Sequence, residues 1–361
     1  MLYNLFYPLA EHFSIFNVFR YITFRTGYAI VTSMLIMLIF GTMVTGLLQK
    51  WKLSQMTKGV EPARHKNKEG TPTMGGIIIV AASVISTIMW SDLSNKYVWI
   101  VLIVYTGFAV IGLADDYIKT IKQNPLGLPG KGKFIAQSVA ALLGITLIVV
   151  TDKSSNMFSI MVPFFKNISL NMSWFYIFVA WFIIVGSSNA VNLTDGLDGL
   201  AIMPAVVSFG AFAILAYVAG NIIYADYLYI FYVRGASELA IFCGAMVGAG
   251  LGFLWFNAYP ASIFMGDVGS LSIGGALGTV AVIVKQEVLL ALIGGLFVME
   301  TLSVILQVGY FKITHGKRIF RMAPLHHHFE LKGWSEPKII VRFWIVSVIM
   351  AIVAMSTLKL R

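Results

Sequence analysis

The sequence predicts an all-α fold, a polytopic integral membrane protein with about ten transmembrane helices and both termini outside the cytoplasm. Three observations predict it. Hydrophobic residues make up 58% of the 361 and charged residues only 12%, against about 25% charged in a soluble domain. Apolar stretches long enough to cross a bilayer recur along the whole chain. Lysines and arginines collect in short loops between those stretches.

A spanning helix needs about 20 mostly apolar residues. The runs that meet this, in chain order, are Tyr21–Leu48, Pro72–Trp90, Tyr97–Ala114, Phe134–Val150, Trp174–Val191, Leu200–Gly220, Ala236–Phe256, Val268–Val284, Val288–Phe311 and Ile339–Leu358. The stretch Met1–Arg20 lacks a basic segment, an apolar segment and a small-residue cleavage site in series, so no cleaved signal is expected. The first run then serves as the insertion signal. Gly244, Gly248, Gly250 and Gly252 in the seventh run, and the glycines of the eighth, allow close helix–helix contact. The runs are almost free of charge. Glu300, inside the ninth, is the main exception, either functional or paired, and Arg342 near the start of the last can snorkel. With no solvent-type domain and no internal repeat, residues 1–361 are expected to form a single membrane-embedded domain.

The single cysteine, Cys243, excludes an internal disulfide and a cysteine-built zinc cage. The net charge of +10 belongs to loops between apolar runs, so a membrane explains it before nucleic acid does, and no nucleic-acid partner is expected. Lys50, Lys52, Lys58, Arg64, Lys66 and Lys68 follow the first run. Lys119, Lys122, Lys131 and Lys133 follow the third. Lys312, Lys317, Arg318, Arg321, Lys332 and Lys338 precede the last. These sixteen of the 26 cations share one face, whereas loops of the other face hold one or two each, such as Lys96, Lys153, Lys166, Arg234 and Lys285. The rich face is expected in the cytoplasm. Asp115, Asp116, Asp195, Asp198 and Asp267 fall on that same face. Carboxylates and cations gathered there suit a charged, water-soluble substrate meeting a lipid head group.

Five motifs carry the chemistry. Gly112-Leu-Ala-Asp115-Asp116-Tyr117 ends an apolar run; adjacent helical residues point about 100° apart, so the two aspartates have different jobs, one toward an ion or phosphate and one toward a lysine. The plain alternative is a solvated helix end. In Asn189-Ala-Val-Asn192-Leu-Thr-Asp195-Gly-Leu-Asp198-Gly, a helix would set Asn192, Asp195 and Asp198 roughly on one face; an Asx-rich turn is the alternative. Asn257-Ala-Tyr-Pro-Ala-Ser-Ile-Phe264-Met-Gly-Asp267-Val-Gly-Ser270 sets one carboxylate among glycines, where Asp267 fits Mg²⁺ with phosphate oxygens and Phe264 could stack on a base, or else a tight turn. Ala323-Pro-Leu-His326-His327-His328-Phe-Glu330 splays its histidines on a helix, which suits phosphate contact or proton transfer better than zinc. Lys68-Glu-Gly-Thr-Pro-Thr73-Met-Gly-Gly76 lacks P-loop spacing; Thr73 and free N–H groups at a helix start could hold an anion, or it is simply a helix start.

In their order along nearly the whole chain, Gly70–Gly76, Ala114–Tyr117, Asn189–Gly199, Phe264–Ser270 and Pro324–Glu330 resemble the motifs of the phospho-N-acetylmuramoyl-pentapeptide transferase family. The aspartate motifs resemble those of the wider polyprenyl-phosphate N-acetylhexosamine-1-phosphate transferase superfamily, and the histidine stretch looks like the muramoyl branch. No motif position departs from the pattern, and Asn124–Gly130 reads as loop variation. The resemblance implies transfer of phospho-MurNAc-pentapeptide from UDP-MurNAc-pentapeptide to undecaprenyl phosphate, giving lipid I and UMP. It implies Mg²⁺ as cofactor, a homodimer, and a cleft on the cytoplasmic face of the bacterial inner membrane. It implies Asp267 as metal ligand, Asp115 and Asp116 at the lipid phosphate, His326 assisting, and a nucleoside pocket of Lys68, Thr73, Asn192, Asp195, Asp198, Asn257, Phe264, Gln307 and His327. Lys119 and Lys133 are expected to offset the lipid phosphate charge. Direct attack by the lipid phosphate is preferred over a phosphoryl-enzyme, because a metal on Asp267 would blunt it as a nucleophile. A GlcNAc-1-phosphate transferase is the nearest rival; a transporter would put charges at helix centres.

Overall fold

The computed structural model describes residues 1–50, 70–124, 126–152, 154–163, 165 and 168–359. Lys68, its loop neighbours Lys52, Lys58, Arg64 and Lys66, and also Lys153 and Lys166, lie outside the described residues.

The elements in chain order are α1 (Leu2–Phe6), α2 (Ile22–Lys50), α3 (Gly76–Trp90), α4 (Lys96–Thr120) and α5 (Gly130–Thr151). A small antiparallel hairpin follows, β1 (Ser159–Met161) with β2 (Ser169–Asn171), Ile160 facing Leu170. Then come α6 (Phe175–Thr194), α7 (Ile202–Ala219), α8 (Ile222–Tyr227), α9 (Leu239–Asn257), α10 (Gly266–Ile283), α11 (Glu287–Ile293), α12 (Gly295–Ile313), α13 (Leu325–Leu331) and α14 (Glu336–Ser356). Among the described residues, nine helices are long and apolar enough to span a bilayer, and α3 is a shorter apolar helix. The chain is an all-α polytopic membrane protein, as its hydropathy predicts.

Local chemistry sets the helix ends. Asn95 caps α4 by accepting the Tyr97 N–H at 2.9 Å, satisfying an otherwise orphaned donor. The apolar run of α4 predicts an end at Ala114, yet the helix runs on to Thr120. It carries both aspartates inside it because Lys119, one turn after Asp115, pairs with that carboxylate. The ninth predicted run, Val288–Phe311, is broken at Gly294 into α11 and α12. Glycine is a poor helix interior residue, and two stand there together. The expected helical face of Asn192, Asp195 and Asp198 does not form: α6 ends at Thr194, and Gly199, at φ +73°, turns the chain away.

The packing centres on α10, buried from Val268 to Ile283. It packs against α4, α6 and α3, while α9 packs against α2 and α7. Two close approaches position the site. A Cβ on Gly112 would collide with the Asp267 backbone, and one on Gly76 with the Gly269 backbone. Only glycine lets α4 and α3 approach the start of α10 so closely. At the other end of α4, fully buried Arg25 grips both Glu238 oxygens, at 2.8 and 2.6 Å, and Glu238 accepts the Asp92 N–H at 2.9 Å. A pair buried this deeply ties α2 to the residue that precedes α9 without leaving a bare charge.

Candidate active site

Three aspartates from two helices meet where α4 and α10 touch. Ligand oxygens of Asp115, Asp116 and Asp267 all lie within 4.8 Å of one another. Gly266, the first residue of α10, takes φ +72°, and Asp267 follows in the first turn. A carboxylate there is favoured by the helix dipole.

The two adjacent aspartates of α4 do point to different partners. Asp115 accepts the Leu128 N–H at 2.7 Å and pairs with Lys119. Asp116 accepts the Val268 N–H at 3.1 Å. Asp267 collects three side chains: Lys119 at 2.9 Å, Lys133 at 2.6 Å, and Asn192 Nδ2 at 2.9 Å. Asn192 also donates to Ser270 Oγ at 2.8 Å. Lys133 Nζ is 3.7 Å from Asp115 as well. Carboxylates this close repel one another, and the two ammonium groups hold them together.

The loop read as mere variation turns out to be a wall of the site. Leu128 supplies an N–H to Asp115, and a side chain on Gly127 would strike Asp115 and Lys119. Sequence reasoning missed this because a backbone donor has no residue-type signature. Thr73 is buried, and its hydroxyl and the Asp116 carboxylate flank Gly266. The anion site expected at the start of α3 does not form from free N–H groups. Gly75 N–H donates to Phe264 O at 2.9 Å and Gly76 N–H to Met265 O at 2.8 Å, so both donors are spent joining two motifs. Phe264 itself is partly exposed, and its N–H donates to Pro72 O at 2.8 Å.

The remaining expected residues shape loops around the cluster. Asp195 caps α6 and is partly exposed. Burial of its carboxyl group, then the charges of Asp267, Asp116 and Asp198, push that group up to about 8. Asp198 accepts the Ala261 N–H at 3.0 Å. Asn257 is buried, accepting the Gly199 N–H at 3.0 Å and donating to Ile263 O at 2.8 Å. Gln307 accepts the Ile319 and Phe320 N–H groups and donates to Phe320 O, each at 3.0 Å. Asn257 and Gln307 thus spend their amides on backbone.

The histidines ride on the short helix α13. His326 is buried and its Nε2 faces Gly196, the residue after Asp195. His327 Nδ1 lies 2.7 Å from Glu330 Oε2, and His328 Nδ1 accepts the Arg321 N–H at 3.0 Å. The splay expected of the three rings does not hold for the first two: His326 and His327 lie tilted against each other with centroids 4.2 Å apart, while His328 sits edge-on to Phe320. Glu300, left open on sequence alone, is fully buried and receives the Leu325 and His326 N–H groups at 2.7 and 3.2 Å. Its signal was a lone carboxylate in an apolar run.

The cluster offers only carboxylate oxygens, the donor set of a hard divalent cation. Residues 98–285 match the model of glycosyl transferase family 4, and residues 68–80 match signature 1 of the phospho-N-acetylmuramoyl-pentapeptide-transferases. The chain is 56% identical to the phospho-N-acetylmuramoyl-pentapeptide-transferase of Desulfosudis oleivorans. It is 55% identical to that of Syntrophus aciditrophicus and 53% to that of Thermodesulfovibrio yellowstonii. Each match covers 100% of both chains.

Proposed function

We propose a reaction from one premise: the chain belongs to the phospho-N-acetylmuramoyl-pentapeptide-transferase family. It moves phospho-MurNAc-pentapeptide from UDP-MurNAc-pentapeptide onto undecaprenyl phosphate, releasing UMP and leaving lipid I. The observation that carries this reading is the meeting of three carboxylates and two ammonium groups at the ends of apolar helices.

An oxygen of the lipid phosphate forms the new bond to the sugar-bearing phosphorus. The bond from that phosphorus to UMP breaks, and UMP leaves with the electron pair. One pyrophosphate replaces another, so the barrier is mainly that of bringing two anions together. Lys119 and Lys133, held by Asp115 and Asp267, supply positive charge where the lipid phosphate arrives. That phosphate has a second pKa of about 6, so it needs positioning more than deprotonation. Asp115 and Asp116 orient it and accept its residual proton. Asp267, with Asp115 and Asp116 beside it, would hold Mg²⁺, which when bound neutralises charge on the diphosphate oxygens. Asp267 already has Asn192 and two lysines on its oxygens, which supports direct attack over an aspartyl-phosphate intermediate.

Phe264, Asp195, Asp198, Asn257, Gln307, His327, Thr73 and Lys68 define the nucleoside side of the pocket in this reading, and His326 assists at the phosphates. The cation-rich loops face the cytoplasm and both termini face outward. The enzyme works as a homodimer in the bacterial inner membrane, each chain one membrane-embedded domain. Purified enzyme given UDP-MurNAc-pentapeptide and undecaprenyl phosphate is expected to form lipid I and UMP with Mg²⁺, and to leave UDP-GlcNAc unused. Product from UDP-GlcNAc alone contradicts the assignment. Exchange of labelled UMP into the donor without lipid phosphate contradicts direct attack.

A further inference from the structure

At the ends of α4 and α5 away from the acid cluster, a cavity of about 780 Å³ opens between the start of α4, the end of α5 and the loop that precedes α9. Its charged lining is balanced, Asp92 and Asp152 against Lys96 and Arg234. Lys96 Nζ is spent, donating to Thr151 O between the two helices. Arg234 is exposed, and its guanidinium has no partner among the described residues. Asp152 Oδ1 accepts the Ser154 N–H at 2.9 Å. Asp92 Oδ1 accepts the Ser94 N–H at 3.0 Å and Asn4 Nδ2 at 3.1 Å. Each carboxylate keeps its other oxygen, Oδ2, without a hydrogen bond from the described residues. Asn95 Nδ2 donates to Gly235 O at 2.9 Å, which fixes the loop of Arg234 against α4. The depth of the cavity follows from its neighbours. Trp99, one turn into α4, is 43% exposed and donates its indole N–H to Leu93 O at 2.8 Å, and Val150, beside Thr151, is 69% exposed. An exposed indole tethered to loop backbone suits the boundary between lipid and water. The cavity therefore sits at head-group depth, with apolar side chains on its membrane side.

We infer that this cavity binds the head group of a zwitterionic phospholipid with a primary amine, of the phosphatidylethanolamine class, its phosphate at Arg234 and its ammonium at Asp92 and Asp152. The site is separate from the acid cluster and does not depend on the reaction proposed above. One open guanidinium and two open carboxylate oxygens match a ligand that carries both signs of charge. A primary ammonium can donate charge-assisted hydrogen bonds to both carboxylates. A quaternary ammonium has no N–H to donate, and a head group without a cation sets a phosphate against two aspartates. The acyl chains then run along the apolar side chains at Val150 and Trp99.

Native mass spectrometry of the full-length protein in detergent tests this. Phosphatidylethanolamine is expected to bind about tenfold tighter than phosphatidylcholine of the same chains, equivalent to about 1.4 kcal/mol. Arg234→Gln and Asp152→Asn are each expected to remove that margin, while thermal unfolding of both variants matches the wild type and shows them folded. In the wild type, a phosphatidylethanolamine with a diazirine near its glycerol is expected to label residues 94–99 or 232–235. Free phosphoethanolamine is expected to bind far more weakly than the lipid. The inference is overturned if the two lipids bind alike, if the margin survives both substitutions, or if labelling falls only elsewhere. Free phosphoethanolamine binding as tightly as the lipid would contradict a membrane source for the ligand.

Discussion

Glu300 accepts the backbone N–H of His326 at 3.2 Å, and that of Leu325 at 2.7 Å, so a buried carboxylate on α12 holds the helix that carries the histidines. His326 Nδ1 lies 3.3 Å from the same carboxylate. Glu300 therefore fixes the position of α13 through two backbone N–H groups and lies beside the ring that faces Gly196.

Removing that carboxylate is expected to act through His326. Each hydrogen bond to a charged group contributes about 1.5–3 kcal/mol, so Glu300→Ala should lower kcat roughly tenfold or more. Because the two residues act as a unit, Glu300→Ala/His326→Ala should lose no more activity than His326→Ala alone. Steady-state rates of the four proteins check this.

Gly112 is a second point of control, far from any charge of its own. A methyl group there meets the Asp267 backbone, which cannot give way like a side-chain tip. Overpacking of this kind costs about 1–3 kcal/mol. Gly112→Ala is expected to shift Asp267, weaken Mg²⁺ dependence and cut activity about tenfold, while the neighbouring change Leu113→Ala, at a membrane-facing position 39% exposed, is mild. A magnesium titration of both variants separates them.

The Asp195 carboxyl, pushed up to about 8 by burial and then by nearby carboxylates, is protonated at neutral pH. Its folded-state value lies above its ordinary 3.8. The stability it contributes is therefore full below that ordinary value and is lost as pH rises through about 8. As a neutral acid it can donate to a nucleoside oxygen. The KM for the nucleotide substrate is expected to rise as pH passes about 8, and Asp195→Asn, which stays neutral, should flatten that rise.

The opposite end of α4 should govern stability and not chemistry. Glu238→Ala leaves the Arg25 guanidinium buried and unpaired, at a cost of about 3–5 kcal/mol. Thermal unfolding of the detergent-solubilised variant is expected well below that of the wild type. Its kcat at low temperature should be nearly unchanged, because most of the length of α4 separates Asp92, which Glu238 holds, from Asp115.

Much of this was legible in the chain. Hydropathy finds the spanning runs because lipid leaves the backbone no partner but itself. The aspartates and lysines of the cluster announce themselves as charges at the edges of those runs. What stayed hidden depends on backbone. Leu128 and Val268 serve through N–H groups that any residue owns. The break at Gly294 lies inside an unbroken apolar run, where glycine is common in spanning helices. Asn257 and Gln307 hold main chain through their amides, a positioning role that no residue-type pattern announces.

The account turns on Asp267, the carboxylate on which two lysines and an asparagine converge. The most direct measurement is lipid I synthesis by Asp267→Asn across a series of Mg²⁺ concentrations. An activity at least about a hundredfold lower, with no recovery at high Mg²⁺, is the predicted result, as expected when a buried charge that organises a phosphoryl-transfer site is removed. Wild-type rates with an unchanged Mg²⁺ dependence would contradict it.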